Sequence, residues 1–228
     1  MKKWKDFCRK YQHAIPLIVY GTIYLTWFSY LEKTVTKHYT VIHMGIDNRI
    51  PFCEYFIVPY FLWFAYIAVV VAYFFFKDKN DYYKLCIFLG VGMTVFLIVS
   101  TLWPNGHHLR LYTMPRDNFF TRWVQYLWSI DTATNLWPSI HVYNSLGVHL
   151  AIVKSRHFTN RKGIRIASFI LCTSIILSTV FLKQHSVFDV ITAFMLGAGM
   201  YLAVYHVDVL GVLRQKVGSK DKERPQTS

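Results

Sequence analysis

Six long stretches of this chain carry no Asp, Glu, Lys or Arg: residues 14–31, 55–76, 85–103, 132–153, 166–182 and 190–207. Most approach the roughly 20 residues that a helix needs to cross about 30 Å of hydrocarbon. A soluble core built by 228 residues has no room for so much apolar chain, which makes a bilayer the fitting solvent. Backbone groups in hydrocarbon must pair within their own segment, and the period-two alternation of barrel strands is absent. The expectation is an all-α fold, a polytopic membrane protein with six transmembrane helices. Pro16 and Pro59 fall inside runs, where a kink or a ragged start is tolerable. The fourth run is irregular: Thr132 to Pro138 reads as a loop, leaving a short apolar segment that contains His141, Asn144 and His149.

Hydrophobic residues make up 54% of the chain and charged residues 16%, which excludes collagen-like and disordered classes. The net charge of +13 is compatible with nucleic acid, anionic lipid or membrane sidedness, and the apolar runs favour the last two, so no nucleic-acid partner is expected. With six spans both termini share a side. Connections on that side carry 18 Lys and Arg against 7 on the other, which puts both termini in the cytoplasm. The 104–131 loop and the 183–189 turn then face outward together. Residues 1–210 form the expected membrane domain, and 211–228 a basic cytoplasmic tail. The basic start, Met1-Lys2-Lys3-Trp4-Lys5, precedes a run of full span length with no A-x-A-like site after it, so a retained first helix is expected. Cys8, Cys53, Cys86 and Cys172 are scattered singly, so neither a disulfide framework nor a zinc site is indicated.

Polar residues at span ends carry the chemistry, because each is costly in lipid unless it faces protein or water. Three outward segments hold them: Asn105–Leu111, Trp137–His141 and Ser178–Asp189. His185 and Asp189 are four residues apart, so on a helix they share a face, and the carboxylate can orient one ring nitrogen while the other stays basic. Pro138-Ser139 resembles a helix start, where a hydroxyl, free N–H groups and positive dipole make a phosphate seat, and His141 lies two residues inside it. Arg110 and Lys183 offer two cations on the same side, suited to the spread charge of a phosphoryl group. Each feature alone has a bland reading: an interfacial His, a snorkelling Lys, an ordinary Pro-Ser helix start. Their convergence on one face raises the chemical one.

These segments resemble the three motifs of the type 2 phosphatidic acid phosphatase superfamily, the metal-independent lipid phosphate phosphatases. The family pattern is K-x6-R-P, then P-S-G-H, then S-R-x5-H-x3-D. Pro138-Ser139-Ile140-His141 matches the second motif except at its Gly, and Ser178, His185 and Asp189 match the third at correct spacing. Arg110 is assigned to the first motif, with Arg116 as its rival. Trp103 stands where the motif Lys belongs, Leu111 at its Pro, and Thr179 at the Arg of the third motif. Lys183-Gln184-His185 together with Pro-Ser-x-His is similar to the subgroup that includes inositol phosphorylceramide synthase-like phosphotransferases. Ile140 keeps its N–H but does not suit positive φ, so an ordinary helix start is expected there.

What the resemblance implies is a phosphatase acting on lipid phosphate monoesters or diphosphates, of phosphatidic acid or isoprenyl diphosphate type, at the outer face of the cell membrane. His185, oriented by Asp189, would form a phosphohistidine while His141 protonates the departing alkoxide; Arg110, Ser139 and Lys183 would hold phosphate oxygens. No cofactor or metal is called for, and the partners are the lipid substrate and membrane lipids. The alternatives are a headgroup phosphotransferase and a non-catalytic lipid binder. Adjacent His107 and His108 point apart on a helix and have no completing carboxylate or Cys, His149 reads as a satisfied interior residue, and Asp131–Asn135 as turns and caps. Trp103, Trp123, Trp128 and Trp137 suit an interfacial belt, and residues 117–130 an amphipathic surface helix.

Overall fold

The computed structural model describes residues 11–208 and Gly211. The first ten residues, Cys8 among them, and the rest of the expected tail lie outside the described residues. Among the described residues seven α-helices follow one another: α1 (Ile15–Thr34), α2 (Ile57–Lys77), α3 (Lys79–Leu102), α4 (Phe119–Ile130), α5 (Ile140–Lys154), α6 (Lys162–Phe181) and α7 (Val187–Tyr201), the last continuing into a π-helical turn, Leu202–His206. Their starts use local chemistry. Pro16 opens α1, Asp78 caps α3 by accepting from the amides of Asn80 and Asp81, and Asn118 forms a capping box with Thr121 at α4.

Among the described residues five segments are long and apolar enough to cross a membrane: Gln12–Thr34, Glu54–Lys77, Lys79–Leu102, Lys162–Phe181 and Val187–His206. Phe64, Val69, Phe76, Phe169, Ile170 and Met195 point outward from them, as lipid-facing side chains do. The fourth run gives a shorter helix. α5 has 15 residues, about 22 Å of helix, and follows the non-helical stretch 131–139. It packs on α2, α3, α6 and α7, so protein surrounds it, and Asn144, Ser145 and His149 need no lipid-compatible face. α3 and α5 interlock closely: the Tyr143 ring lies over Gly92, the Phe88 ring over Gly147, and the two rings stack at 4.9 Å. A Cβ on Gly92 would collide with Tyr143, so small residues set the spacing of this pair.

The loops after α1, α3 and α6 meet at one end of the bundle. β1 (Thr40–Val41) pairs in parallel with β2 (Asn105–Gly106), the Cys53 amide donates to the Phe181 carbonyl at 3.1 Å, and the Asn135 amide to the Asn105 carbonyl at 2.7 Å. The opposite end joins the α2–α3 connection to the α5–α6 connection, where His157 Nε2 lies 3.4 Å from Asp78 Oδ2. The 104–131 segment and the 183–189 turn are therefore at a common end, as the sequence reading expects. α4 is the expected amphipathic helix, and Trp103, Trp123, Trp128 and Trp137 all belong to the same loop-rich end.

Candidate functional site

The start of α5 and the start of α7 are joined through the main chain, the Ser139 amide donating to the Asp189 carbonyl at 3.4 Å. Ser139 is the N-cap of α5: its backbone is extended and its hydroxyl oxygen accepts from the Val142 amide. The helix begins as an ordinary one, with Ile140 tolerated. The first-turn amides of a helix have no intrahelical acceptor, so the positive end of α5 opens at this point.

His185 and Asp189 are brought together by a different device from a shared helix face. Ser186 is the N-cap of α7, and Asp189 Oδ2 reaches back to the Ser186 amide at 3.0 Å, a capping box. His185 stands just before the cap, and its Nδ1 lies 3.3 Å from the same Oδ2. Asp189 is fully buried and His185 only 5% exposed. Burial pushes His185 down to about 3, helped by the Arg110 charge and opposed by a hydrogen bond with the Leu136 backbone. The imidazole is accordingly neutral near neutral pH, the form in which a ring nitrogen keeps its lone pair.

His141 faces His185 across 5.8 Å between ring centroids. Its other neighbours are aromatic: Tyr60 stacks at 4.5 Å and Trp63 packs at 4.2 Å. Its Nδ1 is buried with no hydrogen-bond partner. A cleft of about 450 Å³ runs at this end from β1 past Trp103 to Trp137 and Phe188, which neighbour Pro138 and Asp189 in the chain.

Both cations have partners within the protein. Lys183 donates from Nζ to the carbonyls of Asp47 (2.8 Å) and Ile50, and its φ of 55° puts it in the left-handed region. Buried donors take the nearest strong acceptors, and here those are loop carbonyls, so Lys183 ties the 47–50 loop to the turn rather than offering itself to a phosphate. Arg110 uses Nη1 on the carbonyls of Trp128 and Asp131, and Nη2 on the Thr132 carbonyl and Gln184 Oε1, at 2.8 to 3.1 Å. Of its five N–H groups only Nε–H is left without a partner, buried. Arg110 therefore clasps the 128–132 loop, and what it has left for an anion is its charge and one donor. Arg116, the rival, makes a two-pronged pair with Glu54 at 2.8 and 2.9 Å and is exposed.

Several further residues frame the site. Asp47, 2% exposed, accepts from Ser186 Oγ at 2.6 Å, the Val187 amide at 2.8 Å and the Met44 amide at 2.7 Å, so it holds the first turn of α7. Gln184 links Arg110 to Asp131 Oδ2 (2.9 Å) and the Tyr60 hydroxyl (3.3 Å). Burial raises Asp131 to about 6 against the pull of Arg110. His107 Nε2 pairs with the Gln184 carbonyl at 2.8 Å while its Nδ1 accepts from the Leu109 amide, and burial lowers it to about 4. Nε2 of His107 thus fixes the turn that carries His185, and Nδ1 fixes the loop of His107 itself. His149 is held by Ser168 at 2.9 Å.

Metal-ligating side chains gather at the opposite end. Ligand atoms of Asp78, Asp81 and His157 lie within 4.8 Å of one another. Capping of α3 by Asp78 and its pairing with His157 account for that cluster. Comparison with protein-family models, with curated proteins and with solved structures returns no match to this chain.

Proposed function

We propose that this protein is a membrane-embedded, metal-independent phosphatase of lipid phosphates, of the type 2 phosphatidic acid phosphatase kind, acting through a phosphohistidine. The observation that carries the reading is the His141–His185 pair, 5.8 Å apart, with Asp189 on the Nδ1 of His185. At that centroid separation both imidazoles can reach one phosphoryl group, one as nucleophile and the other as acid.

In the first step the His185 ring nitrogen turned away from Asp189 attacks phosphorus. An N–P bond forms, the lipid C–O–P ester breaks at its P–O bond, and His141 delivers a proton to the leaving alkoxide. In the second step His141 takes a proton from water, whose oxygen attacks phosphorus. The N–P bond breaks, inorganic phosphate leaves, and His185 is restored. The first-turn amides of α5 and the Arg110 charge stabilise the nonbridging oxygens. α5 acts as a sixth, protein-enclosed span. The excess of Lys and Arg in the other connections supports cytoplasmic termini and a histidine pair at the outer face.

Transfer to a lipid alcohol is the second reading, favoured by the dryness of the pair: His185 is 5% exposed and His141 is walled by Tyr60 and Trp63. Purified protein assayed in EDTA with phosphatidic acid and isoprenyl diphosphate tests the first reading. Phosphate release is expected to fall about a thousandfold or more in His185→Ala, and unchanged release refutes the assignment. A labelled donor separates the two outcomes, inorganic phosphate marking hydrolysis and a new phosphodiester marking transfer.

A further inference from the structure

At the end of the bundle away from the histidine pair, the α5–α6 connection carries the cations Lys154, Arg156, Arg161, Lys162 and Arg165, and the chain has no Asp or Glu from 132 to 188. Lys154 lies over the Tyr201 ring. Among the described residues none of the others has a carboxylate partner. Lys162 and Arg165 wall a cleft of about 350 Å³ together with His149 and Val153 of α5 and Ile166 and Phe169 of α6. Positions 162, 165, 166 and 169 make one face of a helix. That face is charged over its first turn and apolar beyond it. Ile166 and Phe169 are exposed, and Phe169 is about 10 Å further along the axis than Lys162.

α6 starts without a side-chain cap and with no acid in its first turn, so Lys162 and Arg165 stand at the positive end of its dipole, where a cation is disfavoured. An anion between them removes that conflict. His149 adds a third donor. Tyr66 and Ser168, both buried, bring their hydroxyls to 2.6 Å, and Ser168 Oγ lies 2.9 Å from His149 Nδ1. The phenol is the stronger acid and donates to Ser168. The Ser168 hydroxyl then donates to Nδ1, which leaves the ring proton on Nε2. His149 lines the cleft, and among the described residues its Nε2 has no partner. Donors reaching in from two helices suit the tetrahedral oxygens of a phosphate, and the apolar wall beneath them suits an acyl chain attached to it.

We infer that this cleft binds the phosphodiester headgroup of an anionic membrane lipid through Lys162, Arg165 and His149 Nε2, with an acyl chain along Ile166 and Phe169, in the leaflet opposite the histidine pair. The site needs only a membrane setting and stands whether or not that pair is catalytic. A zwitterionic lipid carries its own cation beside the phosphate and gains little from the two side chains. Lipid held here bridges α5 and α6.

The experiment titrates the purified full-length protein, in a neutral detergent, with dioleoyl-phosphatidylglycerol or dioleoyl-phosphatidylcholine and counts bound lipids by native mass spectrometry. The first phosphatidylglycerol is expected to bind about twentyfold more tightly than the first phosphatidylcholine, about fivefold for each cation. In Lys162→Gln/Arg165→Gln that ratio should fall to about one, and His149→Phe should weaken phosphatidylglycerol about fivefold. Arg156→Gln/Arg161→Gln removes the same charge from the same connection but touches no wall of the cleft, and should keep the preference. A wild-type ratio within twofold of one overturns the inference and needs no variant to fold. A preference that survives Lys162→Gln/Arg165→Gln also overturns it, as does one that Arg156→Gln/Arg161→Gln abolishes equally, the mark of diffuse charge. Unchanged affinity in His149→Phe overturns that residue's share in the site. Release of the lipid by millimolar inorganic phosphate makes the free ion the ligand and overturns the lipid assignment.

Discussion

Replacing Asp47 with Ala removes the acceptor for three donors at once: the Met44 amide, the Ser186 hydroxyl and the Val187 amide. Ser186 still has the Phe188 amide to accept from and its hydroxyl can rotate, so it loses little. The two amides have no such freedom. Each is left half-buried without an acceptor, at about 1 kcal/mol apiece, the low end of the cost of an orphaned donor, and the start of α7 loses a negative charge worth about 0.5 kcal/mol against the helix dipole. Against this, the variant no longer buries a carboxylate. A net loss of about 2 kcal/mol follows, which for a chain of this size lowers the melting temperature by about 6 °C. Asp47→Asn keeps one acceptor oxygen and should fall about halfway. The assay is thermal unfolding in detergent followed by tryptophan fluorescence, with Asp117→Ala as comparator because its ion pair with Arg122 is solvent-exposed on both sides. Phosphoenzyme yield should drop alongside stability, since Ser186 and Val187 directly follow His185. If Asp47→Ala melts within a degree or so of the wild type, Asp47 is not what holds the start of α7.

Two further outcomes concern the loops around the pair. His107 and His185 sit at about 4 and about 3 against an ordinary 6.5, so the unfolded chain takes up protons that the folded one refuses. Stability is then complete above about pH 6.5 and falls as the pH drops toward 4, by about 1.4 kcal/mol per pH unit for each fully linked proton. Asp131, raised to about 6, opposes this by holding its proton more tightly when folded. His107→Gln preserves a donor for the Gln184 carbonyl and should flatten the acid limb of denaturation curves taken from about pH 7 to about pH 4.5; an unchanged slope contradicts the assignment. Arg110→Lys keeps the charge but cannot serve four acceptors with the geometry of the fork, so stability should fall by about 2 kcal/mol, with activity per folded molecule largely retained. Activity lost at unchanged stability would show instead that Arg110 grips the phosphate.

The parts of this arrangement that were legible in the sequence are those governed by short-range chemistry. Five of the six apolar runs correspond to span-length helices because hydrocarbon permits little else. Pro138-Ser139 announces the start of α5 because an N-cap needs only its own hydroxyl and an amide three residues on. Spacing also brought Asp189 to His185, although through a capping box and not a helix face. The targets of Lys183 and Arg110 were not legible. A long cation declares its charge in the sequence, but its acceptors are carbonyls of loops that come near only after folding: Asp47 and Ile50 for the one, Trp128, Asp131 and Thr132 for the other. Asp47 itself lies 139 residues from Ser186, in a stretch with no periodicity to mark it. The shortness of α5 shows the same limit from another side, since a helix enclosed by four others escapes the length rule that lipid imposes.

Bilayers differ in thickness, and spanning helices answer by tilting. The contact between the Ser139 amide and the Asp189 carbonyl sits where two helices begin, not partway down their lengths. Held together at their starts and packed along their lengths, α5 and α7 keep the two imidazoles at a fixed distance however the bundle as a whole leans. A thinner or thicker host membrane should thus change how the bundle leans without changing the gap between His141 and His185.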